Sequence, residues 1–294
     1  MLTLTFLGVG SAFAKRNLHS NALVEAWTRG PQAQTKPDDT LLIDFGGTGP
    51  TALYQLKQKS GFTYLDRDGD INYPALRRLF ITHLHADHIA GLEELASRNM
   101  HHFIDPHTRR GFRPKITSSP KVLDSLWQHS LGGGLSALPN HVATLADYFD
   151  VAAVHPRGQG SPDSFRLLDR YEFAPVPTDH IRIFAPFDWP SFGLLITDRS
   201  SGDSVLYSGD TRFNRDWSEG LMRPAKLIFH DVQLTDADDC VHALLSELRI
   251  LPETIRSKMW LYHYGDQWDD PAYAFVADDF AGFVQPQTRY TLFA

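Results

Sequence analysis

The chain has very little cysteine, no long apolar run and no excess of positive charge, and each shortage excludes a class of protein. A single cysteine, Cys240, among 294 residues excludes an intrachain disulfide framework and favours a reducing compartment. No apolar run approaches the ~20 residues that cross a bilayer. The formal net charge of -7 argues against a protein whose main task is to hold long nucleic acids. These shortages predict a soluble, cytoplasmic protein.

The overall composition is that of an ordinary globular chain. Hydrophobic residues make up 42% and charged residues 21%, which allows a sizeable core. Apolar and polar residues alternate over residues 2–6 with no positive charge before them, which predicts a strand rather than a signal peptide. No linker-like composition step or internal repeat divides the chain, so residues 1–294 are predicted to form one domain.

Strand and helix patterns both occur along the chain. Apolar runs predict strands at 41–44 and 79–81, and the spacing of leucines predicts a helix at 51–58. The triple glycine at 132–134 predicts a flexible surface loop. Further short apolar runs predict strands in the second half of the chain, and helical spacing returns towards its end: strands 166–168, 172–176, 194–197 and 205–207, helices 241–248 and 272–280.

A dense group of metal-binding residue types follows the strand 79–81. In an extended segment, residues two apart face the same side, so His83 and His85 can present imidazoles to one metal ion. The next turn offers Asp87 and His88 to another. Because the group lies between an apolar strand and an amphipathic helix, we interpret it as a metal site rather than as a solvated, histidine-rich loop.

These residues also carry a resemblance to a known superfamily. The segment 82–91 resembles the second motif of the metallo-β-lactamase fold, and Asp44 is similar to the aspartate of its first motif, which supports the site without binding metal. Three later segments resemble the remaining motifs in order: 175–180 with 191–194, 205–211 and 261–265. The resemblance implies an α/β fold, a four-layer αβ/βα sandwich with two mixed sheets.

The resemblance further implies a ligand set for two metal ions. One ion would take three histidines, a second would take two histidines and an aspartate, and one aspartate would bridge them: His83, His85 and His180; Asp87, His88 and His263; and Asp210. Nitrogen and oxygen ligands of this kind suit two zinc ions, although manganese or iron is also possible. Such a pair catalyses displacement at phosphorus in other enzymes, so phosphodiester hydrolysis is the expected reaction.

Single residues within the motifs separate branches of the superfamily. Position 85 is not Glu, as in the diiron flavoproteins, and position 210 is not Cys, as in the antibiotic-hydrolysing branch. The pair His230 and Asp231 resembles the His-acidic pair of the branch that contains ribonuclease Z and cyclic-nucleotide phosphodiesterases. In that branch the histidine contacts the scissile phosphate and assists proton transfer, and the resemblance implies this role for His230. It also implies that Asp87 and Asp210 hold the nucleophile.

Two observations favour a small substrate within this branch. No Gly/Pro- and Lys-rich arm of the kind that grips tRNA lies between His88 and His180. The segments 4–13, 20–22 and 146–151 resemble phage-associated anti-Pycsar enzymes, which hydrolyse cyclic mononucleotides to evade bacterial defence. We therefore expect a homodimeric enzyme that converts 3′,5′-cyclic mononucleotides to linear monophosphates. The alternatives are a ribonuclease Z-like RNA 3′-processing endonuclease and a non-catalytic relative that sequesters nucleotides.

The remaining histidines and several aromatic residues have weaker interpretations. His155 is the one rival to His180 as third-motif ligand, and His180 is preferred because a strand precedes it. The other histidines have no ligand spacing and are interpreted as surface or packing residues: His19, His101, His102, His107, His129, His141 and His242. Four aromatic residues near the motifs either stack on a nucleobase or simply pack: Phe184, Phe187, Trp189 and Trp268.

Overall fold

Two seven-stranded sheets form the body of the molecule. The computed structural model describes residues 1–155, 164–183, 188–237 and 240–294. The first sheet contains, from edge to edge, the strands Asp150–Ala153, Lys115–Ser118, Arg78–Phe80, Asp39–Ile43, Ala22–Ala26, Leu2–Phe6 and Arg289–Phe293. The second contains the strands Phe165–Leu167, Tyr171–Pro177, Phe192–Asp198, Ser204–Tyr207, Leu227–Asp231, Met259–Tyr262 and Gly282–Phe283.

Both sheets are mixed, as the sequence predicts. The first pairs its strands in parallel from Asp150–Ala153 as far as Asp39–Ile43 and antiparallel beyond that strand. The second is antiparallel as far as Ser204–Tyr207 and parallel beyond it. Every residue of Leu2–Phe6 is buried, polar threonines included. This strand is therefore covered on both faces, which its alternating pattern did not indicate.

Aromatic side chains join the two sheets. The ring of Phe6, from the first sheet, lies 5.5 Å from that of Phe229 and 5.0 Å from that of Tyr262, both in the second sheet. Phe80 and Phe165 form a stacked pair across the same interface at 5.8 Å. Buried aromatic pairs of this kind contribute large apolar areas with defined geometry. They fix how the strand ends of one sheet lie relative to those of the other.

The helices are short. They comprise Gly49–Leu56, Ala86–Ile89, Leu92–His102, Pro120–Leu126, Gly132–Leu135, Leu145–Tyr148, Leu245–Leu248, Glu253–Arg256 and Val276–Asp279. Single turns of other helix types occur at Thr63–Leu65, Tyr73–Ala75, Trp127–Leu131, Ser218–Met222 and Pro271–Tyr273. None of the helices in the described part of the chain has both the length and the apolar character needed to cross a membrane. The helix predicted at 272–280 is one short helix, Val276–Asp279, which a separate turn at Pro271–Tyr273 precedes.

The predicted loop at the triple glycine is wrong. Residues Trp127–Leu131 form a π-type turn, and Gly132–Leu135 continues it as α-helix. A Cβ on Gly132 would lie 2.6 Å from the carbonyl oxygen of Trp127, a distance that side chains do not tolerate. Position 132 therefore needs glycine because the helix backbone packs closely on the preceding turn. The flexibility of glycine is not required there.

Candidate metal centre

Strand ends from both sheets meet at one edge of the molecule. His83 follows the strand Arg78–Phe80, and Asp210 follows Ser204–Tyr207. His263 comes directly after the strand Met259–Tyr262. In open α/β sheets, ligand sites form outside the carboxyl ends of the strands, where loops can bring polar groups together. Motifs that are far apart in the chain therefore place their side chains in one cluster.

The first ligand group consists of three histidines. The Nδ1 atom of His85 lies 2.9 Å from Nε2 of His83 and 3.1 Å from Nε2 of His180. These ring nitrogens point at one another rather than at separate partners, which is the arrangement of donors around a common cation. His155, the rival for this position, is exposed. The structure therefore brings together the three residues predicted for the first metal.

The second group combines two carboxylates with two imidazoles, all buried. Oδ2 of Asp87 lies 3.2 Å from Nε2 of His88 and 3.3 Å from Nε2 of His263. Oδ2 of Asp210 lies at the same distances, 3.2 Å and 3.3 Å, from those two nitrogens. The four predicted residues of this group thus surround one point from four directions.

Asp210 lies between the two groups. Besides its contacts in the second group, its Oδ2 is 3.7 Å from Nε2 of His83 and 3.9 Å from Nε2 of His180. One carboxylate therefore reaches donors of both groups. This is the position that a bridging ligand needs, and the assignment of the seven residues as metal ligands is taken up below as a proposal.

Contacts behind the ligands fix the orientation of their rings. The carboxylate of Asp44 accepts hydrogen bonds from Nδ1 of His88 at 2.7 Å and from the hydroxyl and amide of Thr82 at 2.6 Å and 2.8 Å. Nδ1 of His180 donates to the carbonyl oxygen of Val241 at 2.8 Å. Partners of this kind hold the proton on the outer nitrogen, so the inner nitrogen keeps a free lone pair.

A close backbone approach supports the turn that carries Asp87. A Cβ on Gly46 would lie 1.7 Å from the carbonyl oxygen of Asp87, so only glycine fits there. The side chain of Asn21 bridges the two segments, since its amide donates to the Asp87 carbonyl and its oxygen accepts from the Gly46 amide. Asp44 itself has a φ of 59°, a conformation that aspartate and asparagine adopt more readily than most residues.

Burial and neighbouring charges set the protonation states of the candidate ligands. Burial lowers the pKa of His83 well below its usual value and that of His180 to about 4, so both imidazoles are neutral. Burial alone would raise the pKa of Asp87, but the neighbouring His88 and His263 outweigh it and keep the carboxyl ionised. Burial likewise opposes a charge on His88, yet three surrounding carboxylates raise its pKa, so a metal ion would displace a proton there.

The donor set fits divalent cations. Oδ1 of Asp210 is buried and has no hydrogen-bond partner among the described residues. An unpaired buried polar atom is costly, so such atoms in the middle of a polar cluster call for a partner. Imidazole nitrogens and carboxylate oxygens together suit zinc or manganese. The residues present therefore fit the pair of ions that the resemblance implies.

The structure adds one histidine that the sequence interpretation missed. Nδ1 of His242 lies 2.9 Å from Oδ2 of the buried Asp231, and its ring packs 4.9 Å from that of His180 and 4.6 Å from that of His263. His242, His180 and Asp210 form a third group of potential ligands. The interpretation of His242 as a surface or packing residue therefore did not predict its position beside the ligand cluster. No spacing in the sequence relates it to the motifs, and only the fold brings it beside them.

His230 occupies a deeper position than its predicted role requires. Its side chain is fully buried, and its Nδ1 donates to the carbonyl oxygen of Asp231 at 2.8 Å. It also lies 3.2 Å from the Asp231 carboxylate, on Oδ1, whereas His242 contacts Oδ2. It belongs to none of the ligand groups found among the described residues. Direct contact of His230 with a phosphate stays a prediction, and the geometry favours His242 for that contact.

A cavity of about 400 Å³ opens beside the ligand cluster. His242 and His263 form part of its wall, and the segments 11–13 and 232–235 form much of the rest. Its size falls within the range of small-molecule sites. A reacting group bound at the metal cluster would therefore have room beside it for the remainder of a small substrate.

The aromatic residues predicted to stack on a nucleobase have different surroundings in the structure. The ring of Trp189 lies 5.7 Å from that of His85, beside the site. Trp268 packs against Tyr264 and Phe283 at 5.6 Å and 5.8 Å, and it does not line the cavity next to His242. Packing is therefore the better interpretation for Trp268. Phe184 and Phe187 lie outside the described residues.

The contact between Asp44 and His88 leads to a testable prediction. Asp44→Asn keeps the shape and the left-handed backbone, but its amide NH₂ would donate to Nδ1 of His88 and move the imidazole proton to Nε2, the nitrogen that faces the site. We expect metal affinity to fall about 10- to 100-fold. Metal titration with a competing chelator measures this change. Asp68→Asn, at an exposed position with a φ of 55°, is the matched control. Equal affinity of the Asp44→Asn and control proteins would show that Asp44 does not orient His88.

Comparison with known families places the whole chain in one group. The family model described as anti-Pycsar protein Apyc1 matches residues 2–290. A relative with that description from Paenibacillus harenae is 33% identical over 294 residues, covering 97% of this chain and 97% of the relative. Another from Bacillus phage vB_BveM-Goe7 is 31% identical over 271 residues, covering 91% of this chain and 90% of the relative.

Solved structures with similar folds support the expected architecture. The metallo-β-lactamase fold protein YhfI from Bacillus subtilis superposes with a TM-score of 0.63 at 14% identity, covering 98% of each chain. Unliganded yeast PDE1 superposes with a TM-score of 0.67, also at 14% identity and 98% coverage of each chain. At this level of identity the likeness concerns the fold alone. The predicted four-layer metallo-β-lactamase sandwich is thus confirmed.

Proposed function

Since the chain belongs to the family of the anti-Pycsar protein Apyc1, we propose that it is a dinuclear metal-dependent phosphodiesterase that hydrolyses 3′,5′-cyclic mononucleotides to linear monophosphates. The observation that carries the proposal is the pair of ligand groups joined by Asp210 beside a small cavity. A metal-dependent hydrolase needs such a centre, and a cyclic mononucleotide is a substrate small enough for the space next to it.

We propose that two zinc ions, or manganese in their place, occupy the two groups. The ligands would be His83, His85 and His180 for one ion, Asp87, His88 and His263 for the other, and Asp210 for both. When bound, the ions would supply Lewis-acid activation of a water molecule and of the phosphoryl oxygens. The protein supplies the fixed geometry, because Asp44, Thr82 and Val241 orient the rings of His88, His83 and His180.

The chain's own residues would carry the proton that the reaction moves. Hydrolysis of a cyclic phosphodiester adds one water molecule to phosphorus and breaks one ester P–O bond, so the departing ribose oxygen must gain a proton. His242 is placed for this transfer: Asp231 holds its Nδ1, which leaves Nε2 as the free nitrogen beside the cluster. Asp231 is itself fixed, because its Oδ2 accepts from the amide of Thr211 at 3.1 Å.

We therefore propose that His242, with Asp231 behind it, has the proton-transfer role that the sequence resemblance implied for His230. The side chain of His242 is 17% exposed and lines the cavity, whereas His230 is fully buried. A proton donor must come within hydrogen-bond reach of the leaving oxygen. The shorter acidic side chain of Asp231, where the branch usually has Glu, still reaches His242 at 2.9 Å.

Three further features belong to the proposal. Residues 1–294 would act as one catalytic unit, since the site takes ligands from both sheets. The enzyme would work as a homodimer in the cytoplasm, where the single thiol stays reduced and cyclic nucleotide signals circulate. In that setting its activity would remove a defence signal, as the description of its relatives as anti-Pycsar proteins suggests.

A panel of substrates tests the proposed function. Purified protein loaded with zinc or manganese is incubated with 3′,5′-cyclic mononucleotides of all bases and, separately, with precursor tRNA. We expect linear monophosphates from the cyclic nucleotides and intact tRNA. Cleavage of tRNA alone would replace the proposal with an RNA 3′-processing activity. Recovery of stoichiometric, unchanged cyclic nucleotide from the denatured protein would replace it with sequestration.

A further inference from the structure

Phe13 lines the cavity beside the ligand cluster, and the proposed ligand His263 and the proposed proton donor His242 line the same cavity. Its side chain is 88% exposed, the highest value among the exposed large apolar residues of the described chain. A single exposed apolar side chain is ordinary on a protein surface. An exposed aromatic ring at the mouth of a cavity that contains catalytic groups is a different situation, because a planar ligand can cover it.

The backbone around Phe13 is held in place from several sides. The amide of Ala14 donates to the carbonyl oxygen of Ser11 at 3.1 Å, which closes a turn around Phe13. The carboxylate of Asp266 accepts hydrogen bonds from the three successive amides of residues 15–17, at 2.6 Å, 2.9 Å and 3.1 Å. The exposure of Phe13 is therefore a property of a well-anchored turn, and the backbone that carries the ring needs little additional ordering when a ligand binds.

The same anchor connects the turn to the metal cluster. Asp266 lies three residues after His263, and the amide of Ser11 donates to the carbonyl oxygen of Tyr264 at 3.1 Å. The position of Phe13 relative to His263 is thus set by backbone hydrogen bonds rather than by a flexible connection. This gives the backbone of Phe13 a defined place relative to a phosphate bound at the cluster.

Polar groups of the cavity complement the aromatic face. Gln267 lines the cavity, and its amide folds back over Gly265, where a Cβ would lie 2.3 Å from its Oε1. Gln233 also lines the cavity, and its side-chain amide donates to the carbonyl oxygen of Thr235 at 2.9 Å. Amide side chains both donate and accept hydrogen bonds, which suits the edge of a heterocyclic base. The cavity therefore offers one aromatic face together with polar groups that any base can use.

We propose that Phe13 is the stacking platform for the nucleobase of the substrate, an inference that rests on the proposed function. Stacking on an aromatic ring is tolerant of base identity, because every base has a π face. Purines have the larger face and gain more from it. The enzyme should accordingly accept all bases, with the contribution of Phe13 greater for purines than for pyrimidines.

Steady-state kinetics of the metal-loaded enzyme test this inference. Phe13→Ala is expected to raise KM for cyclic purine nucleotides about tenfold, as the loss of one base–aromatic stack predicts, with a much smaller change in kcat. Phe13→Trp should restore KM, because it supplies a new aromatic face. Ile250→Ala is the matched control, since Ile250 is 67% exposed and does not line the cavity.

The outcomes separate this inference from the function on which it rests. If the original enzyme hydrolyses cyclic nucleotides and Phe13→Ala has the same KM, the stacking role is overturned while the function stands. If Phe13→Ala changes the mass of the particle in solution at unchanged KM, Phe13 is a contact between copies of the chain, and the stacking role is again overturned. If the original enzyme hydrolyses none of the cyclic nucleotides, the proposed function itself fails.

Discussion

Replacing Asp210 by asparagine should lower kcat/KM for cyclic nucleotides by about 10³-fold or more, roughly 4 kcal/mol of transition-state stabilisation. The carboxylate of Asp210 reaches both proposed metal groups, with its Oδ2 3.2 Å from Nε2 of His88 and 3.7 Å from Nε2 of His83. The substitution keeps the volume of the side chain but removes its charge. Both ions would then bind more weakly. Without the negative charge of Asp210, the two buried cations would also repel each other more strongly when both are bound.

Metal content and activity should be measured on the same sample. We expect Asp210→Asn to hold fewer than two ions per chain after dialysis, while the original protein holds two. Asp203→Asn is the matched control, because Asp203 is exposed and lies outside the ligand groups found among the described residues. Full activity with a full complement of metal in Asp210→Asn would remove Asp210 from the centre and with it the dinuclear mechanism.

Replacing His242 by alanine should lower kcat about 10²- to 10⁴-fold, the usual contribution of a positioned acid or base. His242 is held by Asp231 through Nδ1 and lies beside the cluster, so its loss leaves the departing ribose oxygen without a proton donor. Metal content should change little, because each proposed metal already has its ligands from the other two groups. This separates a proton-transfer role from a ligand role.

A second substrate separates proton transfer from a structural effect. A phosphodiester with a 4-nitrophenyl leaving group expels a stable anion that needs no proton, so His242→Ala should lose much less activity with it than with cyclic nucleotides. His155→Ala is the control, since His155 is exposed. His230→Ala completes the comparison: a leaving-group-dependent loss in that variant and not in His242→Ala would return the proton-transfer role to His230.

The metal ligands could be predicted because most of them are close together in sequence or belong to motifs with a recognisable order. His83, His85, Asp87 and His88 lie within six residues, and a strand followed by a helix turn is enough to direct them to one side. His180, Asp210 and His263 each follow an apolar strand, and strand ends in this class of fold meet at one edge. Local patterns therefore specified the first four donors, and the resemblance of later segments to known motifs implied the other three.

Local patterns failed where a residue's environment comes from distant segments. The triple glycine was predicted to be a loop because glycine favours flexible turns, whereas the segment is helical and packs against a distant helix: a Cβ on Gly134 would lie 2.1 Å from Oε1 of Glu93. A prediction made from neighbouring residues cannot include that contact. Tertiary packing overrode local propensity in this case, as it commonly does.

The amino-acid sequence by itself determined the four closely spaced donors after the strand 79–81, because a strand followed by a helix turn leaves a short-range pattern. Its resemblance to a known superfamily implied the fold class and the other three candidate ligands. Only the tertiary structure decided what stands around those ligands. His242 meets Asp231 across 11 residues, and Asp266 fixes the turn of Phe13 from about 250 residues away. Such contacts depend on how two sheets and their loops pack, and no short-range pattern encodes them.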